Sequence, residues 1–424
     1  WYLPARGRRI STKNIEWYAT RTVDIKARRT ERGRLGPNFD PLEPEGTRPI
    51  GPKQFQPFWV DVHVPKDAEP GTFSGTVKVV IPGERSFPVQ VTLQVWDFAV
   101  PEKNHLRLNF WYSGRWLRHW WGKTPTPTVF DSHLTTLEKF RMCTSWAPAT
   151  WWNPIMVWKE PDGSFTFDFS RIDAYLERSF AHGLNAFNIN FSCGGTGIMR
   201  GRSPAHCNVH NRKTGKVTNG KFGPDTLTAE QCRDLFPRML REYVQHLKKK
   251  GWWDEAFIQC HDEPGHGRNE RFKHDYTMLK MFIPDILRLS AGVGAEHDLA
   301  DYVDITCPLT FSFDAFSALE AQQQDKHNWW YVCWGPSPPW PNFFIEQPAT
   351  AHRILFWQSW KYNIEGLLYW GLNTWRTPAG SDIPSDPARR WPNTPFTPSL
   401  RGDGLLVYPG RQQDRFWPSI RLAA

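Results

Sequence analysis

Two adjacent acidic residues, Asp262 and Glu263, follow an apolar run over 255–260 that has the composition of a β-strand. Pro264 and Gly265 come next, which predicts that the chain turns there. Side chains directly after a strand lie at its carboxyl end, where barrel enzymes place their active sites. Helix capping is the alternative, since Asp is a common N-cap and Pro is common in a first helical turn. The position after a strand favours a catalytic role.

Adjacent carboxylates cannot flank a scissile bond as the two well-separated groups of most glycosidases do. They can instead take two different roles in one reaction. One carboxyl group protonates the leaving oxygen, and its neighbour accepts a hydrogen bond from an acetamido N–H of the substrate. The substrate's own carbonyl oxygen would then be the nucleophile, and the second carboxylate would stabilise the oxazolinium charge. The pair therefore fits a glycosidase that acts on 2-acetamido sugars.

Strand-like and helix-like segments alternate after residue 103, in the pattern of a (β/α)8 TIM barrel. Eight strands are predicted, at 106–112, 143–146, 186–191, 255–260, 287–291, 303–309, 329–334 and 366–372. The clearest helix is predicted over 229–249, where apolar residues recur with the 3.6-residue period. Thr228 and Gln231 make a capping-box pattern before it, and Gly251 follows its end.

The first hundred residues have a different pattern. Apolar and polar residues alternate in three runs, at 58–64, 72–81 and 87–95, with Pro-Gly turns between them and a further possible strand at 22–26. We therefore predict a partial antiparallel β-sandwich domain over 1–100, with an irregular basic N-terminal segment, followed by a (β/α)8 barrel catalytic domain over 101–424.

Composition excludes several classes of protein. The 424 residues are 40% hydrophobic and 22% charged, which is globular and not disordered. No run approaches the about 20 apolar residues of a membrane helix, so no membrane span is expected. The net charge is +9, with much of the excess in residues 1–35. A solvated basic arm is preferred to a nucleic-acid site, because no helix carries a Lys/Arg stripe.

The cysteines and histidines do not indicate a cofactor or a metal. Seven cysteines are widely spaced without a C-x-x-C pair, which argues against a disulfide scaffold, and several lie in strand-like runs where free Cys packs as a small hydrophobe. A metal set of His206, Cys207 and His210, with Cys193 or His266, lacks the spacing of a zinc site. The Gly-rich run at 192–197 lacks the P-loop pattern and is interpreted as a barrel loop near the pocket.

Aromatic and amide residues supply candidates for sugar binding. The chain has 24 Trp, 28 Phe and 11 Tyr, and many Trp stand in pairs or beside Pro and Gly, as in loops that grip sugar faces. Packing in the core is the alternative. Asn188 and Asn190 end the third predicted strand, and one of them, taken to be Asn190, is expected to face the barrel mouth and the sugar. An internal hydrogen bond is the alternative. Asp403, between two glycines, is predicted to be a turn residue.

Several segments in order resemble glycoside hydrolase family 123, the β-N-acetylgalactosaminidases. The matching segments are QPFWVDV at 56–62, PGTFSG at 70–75, GWWD at 251–254, DEP at 262–264, WYVC at 330–333, RILFW at 353–357, GLLYWGLNTW at 366–375 and GDGLLVYPG at 402–410. Each is moderately specific, whereas their order and spacing over nearly the whole chain are strongly so. The loop at 192–228 has no counterpart in that pattern.

The resemblance implies a retaining, substrate-assisted exo-hydrolase of terminal β-linked GalNAc, with a glycan partner, no nucleic acid and no cofactor. By motif, Asp262 would orient the acetamido group and Glu263 would be the acid/base. Tyr331, Trp370 and Trp375 would line the sugar pocket, and Asn373 would bond a hydroxyl. The family and its substrate class imply a secreted or periplasmic location.

Two other hypotheses remain open at this point. One is a two-carboxylate glycosidase that uses Glu263 with a distant partner such as Asp314, Glu346 or Glu365. The other is a carbohydrate-binding barrel without turnover, against which the intact Asp262-Glu263 pair argues. Fold by itself does not decide between them.

Overall fold

The structure is a computed structural model that describes residues 10–25, 36–45, 50–81, 83, 86–122, 125–144, 155–189, 208–219, 229–264, 269–375, 401–413 and 415–424. The chain divides into two compact units. One comprises Trp1–Thr22 and Phe39–Lys103, and the other comprises Val23–Asn38 and Asn104–Ala424.

The N-terminal strands form two small antiparallel arrangements. The strands are β1 (Ile15–Ile25), β2 (Gly36–Pro44), β3 (Phe58–Val62), β4 (Gly71–Val79) and β5 (Phe87–Val95). The first three make a sheet of order β2-β1-β3, and β4 pairs with β5 as a hairpin. Phe73 and Val95 are buried in a small core against which Val62 and Leu93 pack. The predicted strands are therefore present, but a complete sandwich is not shown by the described residues.

A parallel sheet of seven strands forms a nearly closed barrel in the larger unit. Its members are β6 (Arg107–Phe110), β9 (Phe187–Asn188), β12 (Ala256–Asp262), β13 (Arg288–Ala291), β14 (Ile305–Cys307), β15 (His327–Val332) and β16 (Gly366–Tyr369). The order is β6-β16-β15-β14-β13-β12-β9. Short parallel strands joined by helices are the pattern that the alternating segments predicted, so the barrel-like architecture is confirmed.

The prediction of eight strands is wrong for the part of the barrel that the structure describes. Cys143 and Thr144, from the expected strand at 143–146, are buried but form no strand, and 145–146 lie outside the described residues. The gap falls between the edge strands β6 and β9. There the amide side chain of Asn185 accepts a bond from Leu108 N at 3.1 Å, so a side chain replaces a ladder bond at the β6 edge.

Eight α-helices are described. They are α1 (Gly114–Trp121), α2 (Pro127–Lys139), α3 (Ser170–Ala181), α4 (Ala229–Lys250), α5 (Asn269–Phe282), α6 (Ala315–Gln323), α7 (Ala349–Lys361) and α8 (Ile420–Ala423). Helix α4 matches the predicted helix within one residue, and Gly251 follows it with a φ of +73°. A positive φ suits glycine, which has no Cβ, and ends the helix there.

Two small sheets lie outside the barrel. Strands β7 (Met156–Lys159), β8 (Phe165–Asp168), β10 (Asn208–Asn211) and β11 (Val217–Asn219) have the order β11-β10-β7-β8, and β17 (Val407–Pro409) pairs with β18 (Phe416–Pro418). The sequence analysis predicted neither sheet. Part of the loop at 192–228 therefore forms a hairpin, and the rest of that loop lies outside the described residues.

Large side chains fill the barrel. One cluster comprises Ala186, Phe257, Leu289, Ala291, Ile305, Cys307, Trp329, Tyr331, Cys333 and Leu368. These residues occupy alternate positions of neighbouring strands, as the inward face of a barrel requires. A Cβ on Gly366 would lie 2.2 Å from the Trp329 ring, so only glycine fits where this indole packs. Part of the tryptophan content therefore serves the core, where Trp120, Trp329, Trp330, Trp375 and Trp417 are buried.

Candidate active site

The two adjacent carboxyl groups lie at the carboxyl end of β12. Asp262 is the last residue of that strand, and Glu263 follows with a φ of +44°. Both residues are exposed at the strand end. The backbone of Glu263 is fixed by its N–H, which donates to the carbonyl of Ala291 on β13 at 3.0 Å. The strand end thus holds two carboxyl groups that a ligand in solution can reach.

Glu263 is joined to the other side of the site by Tyr331. The Tyr331 hydroxyl donates to Oε1 of Glu263 at 2.6 Å, from β15 to the end of β12. Tyr331 is 4% exposed. Burial raises the pKa of Tyr331 well above its usual range, and the bond to the Glu263 carboxylate raises it further. The phenol therefore stays protonated and serves as a donor.

The carboxyl group of Asp262 has a raised pKa, although its side chain reaches solvent. Desolvation by the surrounding protein raises its pKa to about 6, and the charge of Glu263 contributes to the shift. Its Oδ1 accepts a bond of 3.3 Å from the Gln259 amide. Asp262 is in register with Ala291 on β13, which is in register with Cys307 on β14, and both of these partners belong to the inward-facing cluster.

Gly292 leaves the space that the backbone of Glu263 occupies. It has a φ of +85°, and a Cβ there would lie 3.2 Å from the Cα of Glu263. Its N–H donates to the carbonyl of Cys307 at 2.9 Å. Because any side chain would press on the backbone of Glu263, glycine is needed at the end of β13 for the turn to adopt this form.

A single tryptophan, Trp370, directly follows the end of β16. The indole N–H of Trp370 donates to Oδ1 of Asp403 at 2.9 Å. A Cβ on Gly404 would lie 2.5 Å from the Trp370 ring, so the ring is seated directly on that backbone. Asp403 is 2% exposed, and burial raises its pKa to about 6. Asp403 lies in a turn as predicted, but it also fixes a half-buried indole, a role that sequence reasoning missed.

The barrel cluster joins the end of β15 to Trp370. Tyr331 and Cys333, at the end of that strand, belong to the inward-facing cluster, and Trp370 packs against it. Burial raises the pKa of the Cys333 thiol to about 12, and the charges of Asp403 and Glu263 add to the shift. The candidate site therefore combines carboxyl, phenol and indole groups at the ends of β12, β15 and β16.

A comparison with known protein families identifies the family of this chain. A family model described as the glycoside hydrolase 123 catalytic domain matches residues 128–424. The chain belongs to glycoside hydrolase family 123. A solved family 123 glycoside hydrolase from Clostridium perfringens, reported for the details of glycolipid glycan hydrolysis, has a TM-score of 0.64 at 18% identity, covering 99% of this chain and 75% of that one.

Two further comparisons add no functional information. A Bacteroides fragilis structure provisionally assigned as a beta-galactosidase aligns with a TM-score of 0.33 at 11% identity, over 84% of this chain and 50% of that one. A search of curated protein sequences gives no match. Family 123 membership rests on the family model, and the fold on the Clostridium neighbour.

Two residues of this family 123 protein that were predicted to bind sugar are buried and form internal hydrogen bonds instead. Trp375 is 0% exposed, and its indole N–H donates to the carbonyl of Val407 at 2.9 Å. Asn373 is 1% exposed and exchanges two bonds with the backbone of Ser113, at 2.8 and 3.0 Å. The structure does not bring these two to the pocket, because strand β16 ends at Tyr369 and the chain then turns into the core.

The other residues predicted to bind sugar lie in different places. Tyr331 and Trp370 lie at the site, whereas Asn190 lies outside the described residues. Asn188 is 7% exposed, and its Oδ1 accepts a bond from Gln259 N at 3.1 Å, so it supports the strand β12. This internal hydrogen bond is the alternative to sugar binding that the sequence offered for Asn188.

The cysteines and the histidine loop form no metal centre in the described part of the family 123 chain. No group of three or more His, Cys, Asp or Glu residues there is arranged so that it could hold a metal ion. Cys193, His206, Cys207 and His266 lie outside the described residues, and His210 packs on Trp158 with ring centroids 4.7 Å apart. Cys143, Cys307 and Cys333 are free and buried, as expected of small hydrophobes, but Cys260 is disulfide-bonded.

None of the helices in the described ranges combines the length and the apolar character of a membrane-spanning segment.

Proposed function

We propose that this family 123 glycoside hydrolase releases terminal β-linked N-acetylgalactosamine by a retaining, substrate-assisted mechanism. The observation that supports the proposal most is the adjacent pair Asp262 and Glu263 at the end of β12, with the Tyr331 hydroxyl bound to Glu263. The Clostridium neighbour is described in terms of glycolipid glycan hydrolysis, which supports a glycan substrate.

Glu263 is proposed as the general acid and base. Tyr331 holds Oε1 at 2.6 Å while the carboxyl group remains exposed to solvent, so the group is oriented and accessible. In the first step it gives its proton to the glycosidic oxygen as the bond to the anomeric carbon breaks. In the second step the carboxylate takes a proton from the water that opens the oxazoline, which restores the acid.

Asp262 is proposed to hold the acetamido N–H. Its carboxyl group, with a pKa raised to about 6, is mostly ionised at neutral pH and accepts that hydrogen bond. The acetamido oxygen attacks the anomeric carbon and gives the bicyclic oxazolinium, whose positive charge lies beside the carboxylate. Proximity of a charge that develops only in this step favours the transition state over the bound substrate.

The three distant carboxylates considered as partners of Glu263 in a two-carboxylate mechanism are held by other residues. Asp314 caps helix α6 and accepts a bond from Ser317 N at 2.8 Å. Glu346 is buried in an ion pair with Arg401. Glu365 accepts a bond from His327 Nδ1 at 2.6 Å. Each is therefore a structural group, which favours the acetamido group of the substrate as nucleophile.

Two measurements test the proposal. Hydrolysis of matched β-GalNAc, β-GlcNAc and β-Gal aryl glycosides should show activity that requires the 2-acetamido group, with GalNAc preferred. A 2-fluoro galactosyl reagent should leave no covalent adduct by mass spectrometry, because it lacks the internal nucleophile. A glycosyl ester on any Asp or Glu, Asp403 included, would establish the two-carboxylate mechanism instead. No turnover of any glycoside would favour a carbohydrate-binding barrel.

A further inference from the structure

The ladder between β12 and β13 contains an extra residue just before the acidic pair. Gln259 pairs with Leu289, but the next pair joins Asp262 to Ala291, with a register shift between them. Three steps along β12 therefore oppose two steps along β13. This is a β-bulge, a feature that re-aims the side chains that follow it.

The bulge decides which side chains enter the barrel. Phe257 belongs to the inward-facing cluster, so regular alternation would send Gln259 and then His261 inward and Asp262 outward. The structure shows the reverse for the last two residues. His261 packs on Phe272 of α5, with ring centroids 5.3 Å apart, while Asp262 is in register with Ala291, a member of the inward-facing cluster. One extra residue exchanges the two side chains.

The hydroxyl of Tyr276, on helix α5, occupies the interrupted part of the ladder. It accepts bonds from Cys260 N at 3.3 Å and His261 N at 3.4 Å, and it donates to the Leu289 carbonyl at 2.6 Å. Tyr276 is 0% exposed. Backbone groups that the bulge leaves without ladder partners thus receive them from one side chain.

Neighbouring groups hold the same segment. His261 Nε2 lies 3.0 Å from Oδ2 of Asp275, the residue before Tyr276 on α5. From β13, the hydroxyl of Ser290 donates to the His261 carbonyl at 3.1 Å. Helix α5 therefore holds His261 on the outer side of the strand, and β13 holds its backbone.

We propose that Tyr276 is a positioning residue, whose hydroxyl maintains the bulge that turns Asp262 and Glu263 toward the substrate. The inference rests on the proposed roles of those two carboxyl groups. Without the hydroxyl, the N–H groups of Cys260 and His261 and the Leu289 carbonyl lose a partner inside the protein, and the bulge keeps only the contacts of His261 with Asp275 and Ser290. A displacement of about 1 Å at a catalytic group costs on the order of a hundredfold in rate.

The test compares Tyr276→Phe with Tyr243→Phe, an equally buried tyrosine on α4. For Tyr276→Phe we expect kcat on an unactivated glycan to fall at least about tenfold, with KM changed less than about twofold. The loss should be smaller on an aryl glycoside with an acidic phenol, which needs little help from the acid. A lower folded fraction would instead reduce both rates equally, and Tyr243→Phe should keep both rates.

Other variants make each outcome decisive. If Asp262→Asn and Glu263→Gln abolish turnover while Tyr276→Phe retains wild-type kcat, the inference is overturned and the proposed function stands. If the two carboxyl variants retain activity, the proposed function itself fails. Should Tyr276→Phe fold poorly, kcat per folded molecule is measured at a lower temperature at which circular dichroism shows the variant to be folded, and an unchanged kcat on both substrates there would equally overturn the inference.

Discussion

The Tyr331 hydroxyl donates a 2.6 Å hydrogen bond to Oε1 of Glu263, between the ends of two strands that are not neighbours in the sheet. Strands β13 and β14 lie between them, so the bond crosses the mouth of the barrel. It fixes the carboxyl group of the proposed acid from the opposite side of the site. The barrel therefore supplies an orientation that β12 by itself does not.

Tyr331→Phe should keep the ring and lose this bond. A hydrogen bond to a charged group contributes about 1.5–3 kcal/mol, so we expect kcat/KM to fall about tenfold to a hundredfold. Tyr362→Phe, a ring that packs on Phe313 and Trp330, is the control and should retain activity. Steady-state kinetics on a β-GalNAc glycoside decide, and equal activity of the two variants would remove Tyr331 from the site.

Glu263→Gln should lower turnover of an unactivated glycan by about 10²–10⁴-fold, the usual contribution of general acid catalysis. Aryl glycosides with acidic phenols should lose less, because their leaving groups need no proton. Glu177→Gln changes an exposed carboxyl on α3 that pairs with Lys250 at 3.0 Å, and it should have no effect on either substrate. A rate near that of the wild type on the glycan would exclude Glu263 as the acid.

Gly292→Ala should disturb the site beyond its effect on stability. Gly183 has a φ of +84°, nearly equal to the +85° of Gly292, but a Cβ there meets nothing within 4 Å. Both alanine variants should lose about 1–2 kcal/mol of stability from the left-handed backbone. Only Gly292→Ala pushes on the Cα of Glu263, so only this variant should also lose activity per folded molecule. Thermal melts and kcat on both variants would show it.

Activity should fall as the pH drops through about 6, because Asp262, with its pKa raised to about 6 by desolvation, then becomes neutral and cannot balance the oxazolinium charge. Asp403 has the same raised pKa, so the pH profile of Asp403→Asn would show how much of the loss of activity below pH 6 is due to Asp403.

The folded state binds the Asp262 proton more tightly than the unfolded chain. This favours folding below about pH 3.9, and the contribution is lost as the pH rises through about 6.

Asp262→Asn should therefore raise the melting temperature at pH 8 relative to the wild type, and much less at pH 4, while it removes activity at both. Differential scanning calorimetry at the two pH values checks the sign. A variant that is less stable than the wild type at pH 8 would show that the ionised carboxylate is favourably solvated in the folded protein.

Two tryptophans of the same segment should respond differently to alanine. Trp375 is fully buried against Trp120 and Phe416, so Trp375→Ala should cost about 3–5 kcal/mol of stability. Trp370 is half-buried with its N–H on Asp403, so Trp370→Ala should weaken binding of a GalNAc-type inhibitor with a smaller loss of stability. Calorimetric binding and thermal melts separate the two effects. Unchanged affinity in Trp370→Ala would make this ring part of the core.

Local patterns in the sequence determined much of the architecture. The 3.6-residue period and the following glycine located α4, and alternation located β3, β4 and β5, because these signals come from residues that are neighbours along the chain. The short strands β7, β8, β10 and β11 were missed. Strands of three or four residues carry too few alternations to be separated from loops, and their pairing joins distant segments.

The sequence also determined that Asp262 and Glu263 end a strand, since an apolar run and a Pro-Gly turn bracket them. It did not determine which side chains reach the pocket. Trp375 and Asn373 looked equivalent to Trp370 because all three lie in one aromatic segment, but packing against Trp120 and bonds to Ser113 draw the first two into the core. Asp403 joined the site because residues 33 positions apart meet through an indole N–H.

Only the tertiary structure decided that Asp262, and not His261, faces the inside of the barrel. Alternation along β12 favours His261, and the bulge that reverses this choice is held by a tyrosine from the next helix. A period of two is a local property of one strand, whereas an inserted residue is stable only where a neighbouring element supplies partners for the freed backbone groups. The sequence thus supplied the two acids, and packing of α5 against β12 and β13 supplied their direction.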